Sequence, residues 1–360
     1  MDIYEKLREI LDAHPSGAPE SKIFDEILRT LFTPEEAEIA TYMSFSSKPL
    51  ETIAAAAGIP LDEAEYLLES MADKAIIFSR EKDGKISYGL LPTIPGLFEY
   101  PLMRGGKSPM HERLGKLWTK YRKDGLSASF AGQPTPMARV IPVGKALDAT
   151  TQIHPYEEVA KLIEKVDYIA LGRCACRVSV GACKAPLEMC LFFDAPARFL
   201  VERRYAREVD RKEALRVLDR AEEAGLVHTS SNSADRPNFI CNCCPCCCVI
   251  LTCRTRLHLD YGFATSAFQP QVDTSACTGC GICADERCPI GAIDIQDEKA
   301  AVDTKKCIGC GLCVSGCPAS AIILVRRSEQ PDIPATLQEM GAKVLTEKGK
   351  LKRFSEISKR

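Results

Sequence analysis

The chain has 360 residues, a formal net charge of -2, 46% hydrophobic and 27% charged residues. That balance describes two or three folded domains of roughly 150 residues each, and excludes a disordered chain or one that is basic throughout and made for nucleic acid. No apolar run reaches about 18 residues and Met1–Lys6 lacks a basic, then apolar, leader, so neither a membrane span nor a signal peptide is expected, and the sequence predicts a cytoplasmic α+β protein.

Residues 1–30 predict an amphipathic helix, a break at Pro15-Ser16-Gly17-Ala18-Pro19 and a second helix. Thr33-Pro34-Glu35-Glu36 supplies a Thr cap, a proline at the first helical position and an acid at N3, and so starts a helix to about Ser44. Another starts near Pro49, Gly58-Ile59-Pro60 turns, and a third runs from Leu61 to about Lys74 with Ala64, Leu67, Leu68 and Met71 on its apolar side. Residues 75–80 and 86–90 around Lys82-Asp83-Gly84-Lys85 form a hairpin. Helices followed by a hairpin predict a winged-helix-like domain over 1–95. Residues 96–150, with Pro, Gly and little periodicity, are expected as an extended linker or arm packed on both neighbours. A mixed α/β middle domain at 151–270 holds a helix from Pro155 to about Val166, a strand at Tyr168–Leu171, a helix Arg211–Glu223 closed by Gly225, and a β-like stretch Asn238–Ile240. A compact repeat fills 271–325, and 326–360 reads as a charged, partly ordered tail.

All 19 cysteines lie between Cys174 and Cys317. An odd number without an export signal argues for metal binding rather than a disulfide scaffold. Residues 277–288 read Cys-Thr-Gly-Cys-Gly-Ile-Cys-Ala-Asp-Glu-Arg-Cys before Pro289, and residues 307–317 read Cys-Ile-Gly-Cys-Gly-Leu-Cys-Val-Ser-Gly-Cys before Pro318, 30 residues apart. This is the run of bacterial ferredoxins, in which the fourth cysteine serves the other cluster. Residues 271–325 thus resemble a ferredoxin with two [4Fe–4S] clusters. The resemblance implies that Cys277, Cys280, Cys283 and Cys317 hold one cluster, and Cys307, Cys310, Cys313 and Cys288 the other. Four residues rather than three separate Cys283 from Cys288, which lengthens one loop and leaves ligation intact. Zinc prefers ligand pairs well apart and fits this repeat poorly.

Eleven cysteines remain: Cys174, Cys176, Cys183 and Cys190, then Cys241, Cys243, Cys244, Cys246, Cys247, Cys248 and Cys253. They are candidate ligands of one or two further iron–sulfur clusters shared between the two segments, including a cluster with more than four thiolates. Zinc, or free buried thiols, is the alternative. Neighbours on an extended chain face opposite ways, so Cys241, Cys243 and Cys247 are expected to part from Cys244, Cys246 and Cys248 unless Pro245 turns the chain. Arg173, Arg177 and Lys184 are cations that would offset thiolate charge or lie in solvent.

The whole arrangement resembles 4Fe–4S-binding proteins of anaerobes. The resemblance rests on the winged-helix-like N-terminus, Pro186 to Cys190 (Pro-Leu-Glu-x-Cys, one residue shorter than the family's), Glu222 to His228 (Glu-Glu-Ala-Gly-Leu-Val-His), the dense cysteine run and the ferredoxin repeat. It implies redox work in an anaerobic electron pathway.

Residues 1–100 carry 9 Lys+Arg against 19 Asp+Glu, and Leu61–Lys74 bears Asp62, Glu63, Glu65, Glu69 and Asp73 against one Lys. Such a helix repels phosphates, so DNA binding is not expected, and the acidic face is suited to steer a basic redox partner. No Gly-x-Gly-x-x-Gly or Walker sequence marks a nucleotide or flavin site. His14, His111, His154, His228 and His258 are scattered, and Trp118 and Tyr168 are expected in the core. No catalytic residue stands out. The first reading is an electron carrier serving a partner oxidoreductase. The second is a reductase subunit whose middle cluster is itself catalytic; the third, disfavoured by charge, is a redox-sensing regulator.

Overall fold

A computed structural model describes residues 2–105, 108–147, 153–154 and 157–360. The N-terminal unit contains α1 (Ile3–Asp12), α2 (Lys22–Leu31), α3 (Pro34–Ala40), β1 (Lys48–Pro49), α4 (Leu50–Ala57), α5 (Leu61–Asp73), β2 (Ile77–Lys82) and β3 (Lys85–Leu90). The cap expected at Thr33 is present: its side chain accepts from the Glu36 N–H while the Glu36 carboxylate accepts from the Thr33 N–H. Beyond the expected hairpin, β1 pairs with β3, giving an antiparallel sheet in the order β1-β3-β2.

The stretch expected as an arm is built into the body. It contains α6 (Tyr100–Met103), α7 (Pro109–Tyr121), α8 (Ser127–Ala131) and β4 (Ala138–Ile141). On α7 the stripe Leu114, Leu117, Trp118 and Tyr121 is buried, and Trp118 meets Phe24 and Phe98 at ring separations of 5.9 and 5.4 Å. The boundary drawn at 150/151 and the helix start at Pro155 lie outside the described residues; the helix itself, α9, spans Val159–Glu164.

The middle region adds β5 (Ile169–Arg173), α10 (Ala175–Val180), β6 (Glu188–Phe193), α11 (Asp194–Glu202), β7 (Ala206–Glu208), α12 (Arg211–Glu223), β8 (Val227–Ser231), β9 (Phe239–Cys243) and α13 (Val249–Thr255). Its strands form one antiparallel sheet in the order β4-β8-β9-β6-β5-β7. The N-terminal unit is fastened to this region by Arg203, which donates to Glu69 (2.8 Å), Asp73 (2.6 Å) and the Ser79 hydroxyl (3.1 Å). Two of the acids on α5 are therefore engaged inside the molecule, while Asp62, Glu63 and Glu65 are exposed.

At the C-terminal end, β10 (Phe268–Val272) pairs antiparallel with β13 (Ile322–Arg326), and β11 (Ile293–Gln296) with β12 (Lys299–Val302); α14 covers Leu312–Ser315. The segment expected as a tail carries α15 (Leu337–Glu347) and α16 (Leu351–Ser358), which fold back on the N-terminal unit. Lys350 pairs with Asp12 at 2.7 Å, and Phe354 stacks on Phe45 at 5.8 Å. Among the described residues no helix is long and apolar enough to cross a membrane.

Candidate metal centre

The two ferredoxin-like loops are built by one local rule used twice. Asp273 accepts from the N–H groups of Ser275 and Ala276, and 30 residues on Asp303 accepts from those of Lys305 and Lys306. The Cys277 and Cys307 N–H groups then close the turns on the Asp273 and Asp303 carbonyls, both at 2.9 Å. Each loop continues through a glycine at positive φ, Gly279 at 68° and Gly309 at 70°. A Cβ there would strike the Glu298 carbonyl in one loop and the Phe268 carbonyl in the other, so each loop is pressed against a neighbouring stretch of backbone. The N–H groups of Ala292, Ala321 and Gly309 reach the sulfurs of Cys288, Cys317 and Cys307 at 3.1, 3.4 and 3.4 Å.

The fold brings the expected cysteines together in two sets. Cys277, Cys280, Cys283 and Cys317 line one cavity, walled by Ile295, Ala300, Pro318 and Ile322. Cys283 is raised by burial and by the charges of Cys280, Cys317 and Cys277. In the second set burial pushes the Cys310 thiol up to about 12, and Cys307 and Cys288 add to it. The sets differ in depth. Cys307, Cys310 and Cys313 are buried and lie toward the middle region, where the Val143 N–H donates to the Cys310 carbonyl at 2.9 Å. Cys280 of the first set is exposed.

The middle cysteines divide into two groups and one outlier. The register places Leu191 opposite Ile240, which sets Cys190 of β6 beside Cys241 of β9. Cys241 and Cys243 share a face of β9, Cys174 precedes α10, Cys176 lies on it, and Cys248 precedes α13. Their sulfurs adjoin one another in the order Cys174, Cys176, Cys248, Cys243, Cys241, Cys190 and back to Cys174, a ring of neighbouring thiols. The Cys248 thiol donates to Cys243 at 3.1 Å, and the Thr229 hydroxyl lies 3.3 Å from Cys243. The adjoining Cys174 and Cys241 thiols, with Arg177 nearby, pull Cys190 down to about 5, despite its burial.

The second group is Cys183, Cys244, Cys246 and Cys247, whose sulfurs all lie within 4.8 Å of one another. The exception allowed for at Pro245 applies: the chain turns at 245–247, strand alternation ends, and Cys247 joins Cys244 and Cys246 while Cys248 joins Cys241 and Cys243. Cys253, on α13, joins neither group, and its thiol donates to the Val249 carbonyl at 3.2 Å.

Arg177 stands between the groups. It is 3% exposed; one guanidinium N–H donates to the Asn242 carbonyl at 2.9 Å, and its Nε and Nη2 meet no oxygen or nitrogen. The charges it faces are those of Cys174, Cys190 and Cys244. An always-charged group that deep in the protein needs anions, and here only sulfur supplies them, so the site is suited to thiolates. Of the other two cations, Lys184 is exposed and Arg173 is half-buried. Sequence reasoning missed two supporting residues. Asn242 links the His228 ring to the Met189 carbonyl, both at 2.6 Å, and its one signal was an amide between two cysteines. Arg122, at the end of α7, donates to the Cys247 carbonyl and the Thr252 hydroxyl, and left no sequence signal.

Residues 263–330 match a family of 4Fe-4S dicluster domains. No curated protein and no solved structure matches the chain. The dicluster domain implies two [4Fe–4S] clusters, and the residues present fit them: four cysteines per set, glycine loops that admit no side chain, and amides aimed at sulfur. The iron-binding character of the C-terminal region, an iron–sulfur electron-transfer role and a redox partner follow from that domain.

Proposed function

We propose that the protein relays single electrons between a donor and a partner oxidoreductase through two ferredoxin-type clusters and one further cluster in the middle region. Cys277, Cys280, Cys283 and Cys317 would hold the outer ferredoxin cluster, and Cys307, Cys310, Cys313 and Cys288 the inner one. Cys174, Cys176, Cys190, Cys241, Cys243 and Cys248 would hold the middle cluster, one with more than four thiolates available. The observation that carries the reading is the convergence of six cysteines from two distant segments, four of them buried, in the same chain as a dicluster domain whose Cys280 is exposed. When bound, iron–sulfur clusters accept and return one electron without breaking bonds to substrate, so a donor is oxidised by one electron and an acceptor reduced by one. The residues of this chain do the rest. The thiolates ligate, the loop amides and Arg177 offset negative charge, and the surrounding apolar side chains exclude water.

Burial of Cys174, Cys190, Cys243 and Cys248 favours a relay over a substrate-reducing site in the middle region. The order of α3, α4, α5 and the β2–β3 hairpin supports a winged-helix-like reading of the N-terminal unit. With Glu69 and Asp73 occupied by Arg203 and the remaining α5 acids exposed, that unit suits docking of a basic redox partner rather than DNA. A cytoplasmic place in an anaerobic electron pathway belongs to the same proposal. The test is an anaerobic redox titration followed by electron paramagnetic resonance. Two coupled ferredoxin signals and a third, separate couple are expected. A titration that shows only the two ferredoxin couples would refute the middle cluster, and failure of any reduced cluster to pass an electron to an added acceptor protein or dye would refute the relay.

A further inference from the structure

The group formed by Cys183, Cys244, Cys246 and Cys247 differs in kind from the ferredoxin sets. Cys183 lies 3.8 Å from Cys244 and 3.9 Å from Cys247, and Cys246 lies 3.7 Å from Cys247. A zinc ion binds each sulfur at about 2.3 Å, and a tetrahedron of that radius has sulfur–sulfur edges of about 3.8 Å. A cubane binds one thiolate at each of four separate irons, so its sulfurs stand on a larger tetrahedron that encloses the whole cluster. The chain contains its own comparison. Among the described residues no ferredoxin cysteine belongs to a group of three or more converging this closely, although each set has four.

We infer that Cys183, Cys244, Cys246 and Cys247 bind a single tetrahedral zinc ion. The local chain is arranged for it. Pro245 opens the turn that gathers Cys244, Cys246 and Cys247, and the irregular segment 181–186 delivers Cys183 from the other side. Arg177, buried and short of acceptors, adds a cation at Cys244. Four thiolates make a closed site with no position for substrate, and zinc outcompetes Fe²⁺ for the same ligands. The ion would staple the segment that joins α10 to β6 against the turn before α13, and the ring cysteines Cys176, Cys190 and Cys248 lie at the flanks of these two places.

The inference is independent of the relay proposal, because zinc and iron are counted separately. Full-length protein, purified anaerobically with zinc in the growth medium, is expected to hold one zinc per chain, with X-ray absorption showing four sulfurs at about 2.3 Å. Cys183→His is expected to keep the zinc with three sulfurs and one nitrogen at about 2.0–2.1 Å, and to leave the iron content as in the wild type. Iron-loaded protein without zinc would overturn the inference. So would zinc that keeps four sulfurs in Cys183→His, or iron in place of zinc at these four residues. Zinc present with iron in the ferredoxin sets alone would sink the middle cluster and leave this site standing.

Discussion

Replacing Arg177 by Met tests whether the middle cysteines work as thiolates around a redox centre. The guanidinium is 3% exposed and faces Cys174, Cys190 and Cys244. At an effective dielectric of about 20, two unit charges about 4 Å apart interact by about 4 kcal/mol. Reduction adds one negative charge, so removing the cation destabilises the reduced form by up to that amount, about 170 mV for one electron. Spreading the charge over several irons moves most of it farther from Arg177, and a fall of about 100 mV in the middle couple is expected. The assay is the anaerobic titration above, on protein whose iron content equals the wild type's. Both ferredoxin potentials should stay in place, and Arg177→Lys, which keeps the charge but loses the fork, should recover most of the shift. An unchanged middle potential in Arg177→Met with full iron would refute the electrostatic argument, as would an equal shift of all three couples.

Other expectations follow from single contacts. Gly309→Ala places a Cβ against the Phe268 carbonyl at a φ of 70°, so the backbone alone costs at least about 1–2 kcal/mol; denaturant unfolding and iron analysis should show lower stability and reduced loading of the inner ferredoxin set. Cys253→Ser should change neither iron nor zinc, because this thiol bonds a helix carbonyl and lies outside both groups. Burial, with Lys348 nearby, holds His14 down to about 3 from 6.5, and its Nδ1 accepts from the Ser16 N–H. The folded state therefore favours the neutral ring. Its contribution is complete above pH 6.5 and falls on acidification, by at most about 2 kcal/mol at pH 5, and His14→Gln should flatten the stability profile between pH 7 and 5.

The ferredoxin repeat was legible because three of each set's four cysteines, with their glycines, lie in one short run that recurs 30 residues on, whereas the turn acids Asp273 and Asp303 showed only in the folded loops. The capping box at Thr33 and the helix closed by Gly225 were legible for the same reason. The middle cysteines were not. Which thiols meet depends on the pairing of β6 with β9, a contact between residues some 50 positions apart, and on the turn at Pro245, which exchanges Cys247 and Cys248 between groups. The helix within the arm went unread although α7 carries a helical stripe, Leu114, Leu117, Trp118 and Tyr121, because Pro109 and the glycines around it masked the period. The tail read as charged and only partly ordered, while in the fold Lys348 donates to the Pro15 and Ser129 carbonyls and Lys350 to Asp12, contacts that no local pattern announces.

The central claim, that iron occupies the middle ring as well as the ferredoxin loops, is tested most directly by measuring iron and acid-labile sulfide per chain after strictly anaerobic purification. About eight irons belong to the two ferredoxin clusters, and the account predicts about twelve or more, with sulfide in proportion. A count that stays at about eight in fully loaded protein would contradict it.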